Sequence, residues 1–358
     1  MNGLKLSVYF GEHDRAGHHT SAEAIARATV AAGVRTGILS RAIEGFGGRG
    51  EVHTERILTL SEDLPLVWTA VDSPEIITRL ADTVGALIPQ GLVTLERCGI
   101  AGATEIPIGT DTEPVKLTVT IGRGHRTGGA LSYLRIVDHL RECGVDGAYV
   151  LIGVDGVTHG IRHRARVIGT NASVPAQIVA IGARSDITRA LVDLGTHGAP
   201  ALVTTERIRV VKRDGTHLAP IDHAPLRDPD GYPVWQLLTL ITREDAVGGG
   251  EALYMSAMRE LRTHGARGAT ALAGVWGYSG TGTPHGDSMR RLRRAIPVIC
   301  VCIDTPEAIV RLWPVVDHLT HTGGLVTSEI VPAFRTHGPV GSHGGLHLAR
   351  PHRPGARS

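Results

Sequence analysis

The chain has 358 residues, 42% of them hydrophobic and 20% charged, and its formal net charge is +2. That length accommodates two or three domains with cores of their own, and the near-neutral balance gives no reason to expect polyanion binding over the whole surface. The four cysteines, Cys98, Cys143, Cys300 and Cys302, have no CxxC spacing, and no apolar run approaches the ~18 residues of a membrane span.

Aromatic residues make up only 4% of the chain, so the cores must be filled by Leu, Val, Ile and Ala. Lysine occurs only at Lys5, Lys116 and Lys212. The remaining positive charge is arginine, which suits bidentate anion recognition, although a GC-rich coding sequence is the favoured explanation. Leu4 to Phe10 is too short and too alternating for a secretory leader. A cytoplasmic location is expected.

Leu4 to Gly11 alternates and is rich in β-formers, which predicts a first strand. His18 to Ala32 has helical spacing and ends before Gly33, a suitable C′ residue. Ile38 to Gly45 returns to strand, Phe46 to Leu64 is a polar loop, and Leu66 to Val71 is a third strand. Asp72-Ser73-Pro74-Glu75 then starts a helix, with Ser73 as cap, Pro74 at the first helical position and Glu75 complementing the dipole. That helix runs to about Ile88, and Gly91 to Arg97 completes a β-α-β-loop-β-α-β order, the split βαβ or ferredoxin-like arrangement.

The same unit recurs twice. Val115 to Gly122 repeats Leu4 to Gly11 almost letter for letter. Twelve positions separate Gly33 from Gly45, Gly144 from Gly156, and Gly265 from Gly277. A histidine lies twelve positions before a proline in each copy: His53 and Pro65, His163 and Pro175, His285 and Pro297. A Leu-Val-Thr-x-Glu run closes each copy, at Leu92 to Glu96, Leu202 to Glu206 and Leu325 to Glu329. Fixed offsets of this kind identify an internal repeat. The boundaries expected are a first repeat over 1–98, a linker over 99–114, a second repeat over 115–213, a linker over 214–233, a third repeat over 234–335, and a disordered tail of Gly, Pro, His and Arg over 336–358.

The first copy, with Tyr9-Phe10-Gly11-Glu12, Glu44-Gly45-Phe46-Gly47, His53, Ser61-Glu62-Asp63-Leu64-Pro65 and Leu92-Val93-Thr94, resembles domain-of-unknown-function family 190. The later copies resemble it more loosely: Asp155 and Trp276 replace Glu44, and the run before the proline is not kept. That family is similar in fold to the trimeric PII signalling proteins. The resemblance implies an α+β fold of three tandem ferredoxin-like, PII-like domains closed as an intramolecular pseudo-trimer by heterologous contacts. It makes the polar loops equivalents of the PII T-loop. It further implies a small anionic effector, an adenine nucleotide for example, in clefts between repeats, and a membrane transporter or channel as a partner of the loops. Neither nucleic acid nor membrane insertion is expected, and a single chain suffices for the pseudo-trimer.

The candidate ligand-binding residues are Gly45, Gly47, Arg49 and His53 in the first copy, Gly156, His163 and Arg166 in the second, and Gly277, His285, Arg290 and Arg291 in the third. Loop glycines expose amides that cradle anions, arginines pair with phosphate, and histidine changes charge near neutral pH. The competing explanations are structural: a histidine that bonds loop backbone, glycines at turns and a solvated arginine face. No Walker-type Gly-Lys-Ser/Thr ending, no GxSxG elbow and no catalytic constellation is present, so no catalytic or metal residue is assigned and no cofactor is named. The pairs His18/His19, His159/His163 and His318/His321 have spacing compatible with metal but no supporting carboxylate or cysteine. Two further functions stay open, a ligand-free scaffold and a metal-handling protein resembling CutA.

Overall fold

A computed structural model gives the fold and describes residues 1–47, 52–54, 64–101, 113–166, 171–248, 250–280, 284–286, 296–338 and 341–348. The chain is a mixed α/β protein of three repeats built on antiparallel sheets. The first repeat comprises β1 (Asn2–Gly11), α1 (Ser21–Ala31), β2 (Thr36–Arg41), β3 (Glu44–Phe46), β4 (Pro65–Asp72), α2 (Pro74–Leu87) and β5 (Gly91–Ile100). The second comprises β6 (Pro114–Gly122), α3 (Ser132–Glu142), β7 (Gly147–Ile152), β8 (Asp155–Thr158), β9 (Pro175–Ala183), α4 (Arg184–Val192), α5 (Leu194–His197) and β10 (Leu202–Arg207), followed by β11 (Arg209–Arg213). The third comprises β12 (Trp235–Arg243), α6 (Leu253–Thr263), β13 (Ala269–Ala273), β14 (Trp276–Ser279), β15 (Pro297–Asp304), α7 (Pro306–Leu319) and β16 (Leu325–Val331), followed by β17 (Ala333–Gly338) and β18 (Gly341–Gly345).

Each repeat has the same strand order, β2-β4-β1-β5 in the first, β7-β9-β6-β10 in the second and β13-β15-β12-β16 in the third. The period-two alternation of the first strands explains the layering. Leu6, Val8 and Phe10 join the core under α1 and α2, while Lys5, Ser7 and Tyr9 face the opposite way into a central cavity. Leu117, Val119 and Ile121 against Lys116, Thr118 and Thr120 repeat the division. Leu238 and Leu240 against Leu237, Thr239 and Ile241 do so again. The helices therefore cover the outer faces, and the inner faces meet in a shared apolar layer that includes Val67, Tyr149, Val179 and Ile299.

The three copies are joined edge to edge. β3 of the first repeat pairs with β13 of the third, β8 of the second with β2 of the first, and β14 of the third with β7 of the second. At the other sheet edge, the end of β5 pairs with β10, β11 pairs with β16, and β17 pairs with β5. In the first set each repeat's extension strand reaches the preceding repeat (1 to 3, 2 to 1, 3 to 2), and in the second the C-terminal end of each reaches the following one (1 to 2, 2 to 3, 3 to 1), so each sheet finds a neighbour at both edges.

Several expectations are corrected by this architecture. The strand expected from Ile38 to Gly45 is two strands: Ala42 N–H still reaches Pro65 O at 2.9 Å, but Ile43 N–H donates to Ala271 O of the third repeat at 2.9 Å. The chain crosses to its neighbour there, and Phe46, expected in a polar loop, enters the third repeat's core. The first helix starts at Ser21 rather than His18, because Thr20 Oγ1 accepts from Glu23 N–H at 3.2 Å; Thr20 and Glu23 have capping-box spacing. Gly33 is left-handed at φ 73°, as a C′ residue requires. Ser73 makes no side-chain cap bond; Asp72 accepts from Ser73 N–H at 2.8 Å and from Arg35 N–H at 2.7 Å instead.

The disordered-tail expectation fails for residues 336–338 and 341–348. β17 and β18 form a hairpin laid on β5, Phe334 stacks on Trp235 with ring centroids 4.0 Å apart, and Leu346 enters the first core. Glycines in this segment lack packing side chains, but an open edge at β5 gives their backbone a partner. The 214–233 linker is likewise anchored, since Ile221 is buried in the third core and its carbonyl accepts from Gln236 Nε2 at 2.9 Å. Residues 102–112 of the first linker lie outside the described residues.

The junction strands need a small residue at their centre. A Cβ on Gly156 would stand 2.4 Å from both Gly37 O and Pro175 Cγ. Gly156→Val is therefore expected to open the junction between the first and second repeats, at ~1–3 kcal/mol or more for forced overpacking. A lowered urea midpoint with faster amide exchange over Gly37 to Leu39 is the expected result; unchanged values would show that the close approach is dispensable.

Candidate functional site

The recurring glycine and histidine are cross-strand partners in all three copies. Gly45 pairs with His53, Gly277 pairs with His285, and Gly156 and His163 exchange backbone bonds of 3.1 and 2.8 Å. The recurring proline completes the unit. A Cβ added to Gly45 would lie 2.4 Å from Pro65 Cγ, and one added to Gly277 would lie 3.0 Å from Pro297 Cγ and 2.5 Å from Ala148 O of the second repeat. Close packing at the junction accounts for the glycine and the proline. Backbone pairing makes no demand on the histidine side chain, so it does not account for that residue type.

The three units sit at three separate junctions, which keeps the histidines on different sheet edges. His163 and His285 are half-buried; the side chain of His53 lies outside the described residues, as do Arg49, Arg290 and Arg291. Gly47 is exposed. Arg166 is exposed and its backbone is strapped by Asn171, whose Oδ1 accepts from Arg166 N–H and whose Nδ2 donates to Arg166 O, both at 2.8 Å. Of the histidine pairs, His318 and His321 stack with centroids 5.7 Å apart while His159 occupies a left-handed turn at φ 51°.

The junctions differ in charge. At the second-to-first junction Arg162 pairs with Asp155 of its own repeat at 2.5 Å and with Glu23 of α1 at 2.8 Å. Hydrogen bonds from Arg162, then Arg27, bring the Glu23 carboxyl down to about 2. Trp276, an apolar residue, occupies the Asp155 position at the third-to-second junction. A carboxylate with a lowered folded-state value contributes stability above its unfolded value and loses it as pH falls through the folded one. Arg162→Ala should therefore weaken the fold by ~1–2 kcal/mol near neutrality and flatten the acid limb between about pH 4.5 and 2, read from urea midpoints across pH. A wild-type acid limb in the variant would show that the bridge contributes nothing.

A second cluster lies where the inner faces meet. Glu96, Glu206 and Glu329, one from each repeat, bring carboxylate oxygens within 4.8 Å of one another. Lys5 pairs with Glu96 at 2.9 Å and also with Glu206; Lys116 pairs with Glu206 at 3.2 Å and also with Glu329. The charges alternate in the order Glu96, Lys5, Glu206, Lys116, Glu329. The cavity around them has a volume of about 130 Å³ and is lined by Ser7, Tyr9, Thr118, Thr204, Tyr149 and Thr327 among others. Burial pushes the Glu206 carboxyl up, but its two lysines outweigh that and hold it below the ordinary range. Lys5 is likewise held charged by its carboxylates against the effect of burial. The ammonium groups take the bridging positions that a metal ion would need, so this is an ion-pair chain.

The DUF190 family, described as an uncharacterized ACR, matches residues 3–100, 114–210 and 235–333. The chain belongs to that family. The UPF0166 protein MJ1524 of Methanocaldococcus jannaschii is 33% identical over 91 residues, covering 25% of this chain and 83% of that protein. Among solved structures, an aspartate kinase from Synechocystis aligns at 12% identity and TM-score 0.26, over 93% of this chain and 44% of the kinase. A putative glycine cleavage system transcriptional repressor aligns at 13% identity and TM-score 0.16, over 55% of this chain and 90% of its own. TM-scores this far below 0.5 establish neither fold nor function.

The axial residues of the DUF190 repeats were not among the candidates drawn from the sequence, although two signals pointed to them. The closing glutamate recurs in every copy, and of the chain's three lysines Lys5 and Lys116 stand at matching positions of the first two repeats, where they pair with those glutamates. Charged residues are buried in this way only when paired. Glu206→Gln would leave Lys5 paired with Glu96 alone and Lys116 with Glu329 alone. It is expected to cost about 1.5–3 kcal/mol, as for loss of a hydrogen bond to a charged group. Calorimetric unfolding measures this, and a wild-type melting temperature would mean that water satisfies the lysines.

Proposed function

We propose that this DUF190 chain is a PII-like regulatory protein. Its ferredoxin-like repeats act as a pseudo-trimer that binds a small anionic effector, foremost an adenine nucleotide, at the junctions between repeats. The polar loop of each repeat engages a transporter or another partner in the cytoplasm. The observation that carries this reading is the anchoring at the base of the loops: the strand opening each loop pairs with the preceding repeat, so an effector seated at a junction would touch the base of a loop and two repeats at once. The cyclic edge pairing and the common strand order support the pseudo-trimer.

Within this reading Gly45, Gly47, Arg49 and His53, Gly156, His163 and Arg166, and Gly277, His285, Arg290 and Arg291 contribute amides, imidazoles and guanidinium groups to three unequal sites. The unexplained choice of histidine opposite the junction glycine favours a side-chain role. Loop ordering by a bound anion would then alter what the loops present to a partner.

A second reading has its own support. The Gly-Pro packing at each junction accounts for two of the three recurring residues without any ligand, which favours a scaffold whose linked repeats fix the geometry of a docking surface. Calorimetric titration with ATP, ADP and AMP separates the two. The effector reading expects saturable heat, a thermal upshift of ~2.7 kcal/mol in stability at a hundredfold excess over Kd, and about tenfold or greater weakening in His163→Ala or Arg166→Ala. No heat and no shift with any nucleotide would sink it and leave the scaffold.

A further inference from the structure

We infer that the centre of the ring holds one buried proton at neutral pH, carried by the Glu329 carboxyl because Leu237 stands where the other two repeats supply a lysine. The register makes the equivalence explicit. Lys5 lies opposite Glu96, Lys116 opposite Glu206, and Leu237 opposite Glu329. Each lysine bridges the glutamate of its own repeat and that of the next. A lysine at 237 would bridge Glu329 to Glu96 and close the alternating chain into a neutral circle of six charges. With leucine there, three carboxylates share two ammonium groups.

The position of the surplus follows from the partners. Glu206 has two lysines, and Glu96 has Lys5 together with a hydrogen bond from Thr94 Oγ1 at 3.1 Å. Glu329 is 6% exposed and, among the described residues, its ion-pair partner is Lys116, beside the apolar side chain of Leu237. The charged groups facing it are Lys116 from β6, Lys5 from β1, Glu206 from β10 and Glu96 from β5, with the neutral phenols Tyr9 on β1 and Tyr149 on β7. Leaving an uncompensated carboxylate in such a site is costly, and protonation is the usual relief. Burial raises the Glu329 carboxyl above its ordinary value, in the same direction.

The consequence is a ring sensitive to alkali. Above the unfolded carboxyl value near 4.5 the unfolded chain has released this proton while the folded chain retains it. Folding is then weakened by up to about tenfold per pH unit until the folded carboxyl itself ionises, and no further beyond that. Ionisation places a net negative charge where all three repeats meet, so the loss falls on the closure of the ring.

Infrared difference spectroscopy of the full chain at neutral pH tests this, comparing wild type with Glu329→Gln and Leu237→Lys. The expected result is the carbonyl band of a protonated carboxylic acid in wild type and its absence from both variants. The decline of melting temperature toward alkaline pH should flatten in both as well. Glu329→Gln keeps the shape of the neutral acid, so it carries the test if the lysine is too bulky to fold. Three results would overturn the inference: no acid band in wild type, a band that survives Glu329→Gln, or a wild-type stability that depends on added sodium or potassium without such a band, which would assign the missing charge to a metal cation.

Discussion

Everything in this molecule depends on satisfying the edges of three small sheets. An open strand edge presents unpaired N–H and C=O groups, which invites pairing with another chain. Here each second strand runs on past its own sheet: the backbone at Ala42 still bonds to Pro65, and one residue later Ile43 bonds to the third repeat. The fourth strands complete the other edge through their C-terminal extensions, β17 doing so for the first repeat. Strands of the other two repeats thereby pair with both edges of each sheet.

The edge pairing has a second consequence where the inner faces meet. The strand alternation that sends Leu6 and Val8 outward to the helices sends Lys5 inward, where it meets Glu96 and the glutamate of the next repeat. Buried ion pairs contribute little net stability against an apolar alternative, but they are unforgiving of a missing partner. They therefore favour this register and this order of repeats over any slipped one. Covalent linkage of the copies permits what a homotrimer could not: one lysine of three is leucine, and one junction carries Arg162 between Asp155 and Glu23 while another carries Trp276. The repeats share a frame, and their chemistry has diverged.

Much of this frame was legible in the residues. The alternation of Leu4 to Gly11, the Pro74 helix start and Gly33 gave the elements, and the fixed offsets gave the threefold repeat. The loop candidates were legible only as a pattern. Gly45, Gly156 and Gly277 recur because a neighbouring carbonyl and a proline come within contact distance of each, and the carbonyl belongs to a different repeat, far away in sequence. The tail was misjudged for the same reason: Gly341 to Gly345 cannot form a core, yet a strand needs only a backbone partner, and the open edge of β5 supplies one.

The sequence by itself determined that one β-α-β-loop-β-α-β unit is present three times and which positions face a core, because period and offset are local properties that each copy states separately. Only the tertiary structure decided which edge meets which. It also decided that the recurring glutamates converge and that Leu237 faces them, since those facts arise from contacts between residues far apart in the chain, more than two hundred positions for Lys5 with Glu206 and Lys116 with Glu329. A side chain's chemistry is fixed by its own residue, but a buried charge has meaning only through the partner that folding brings to it.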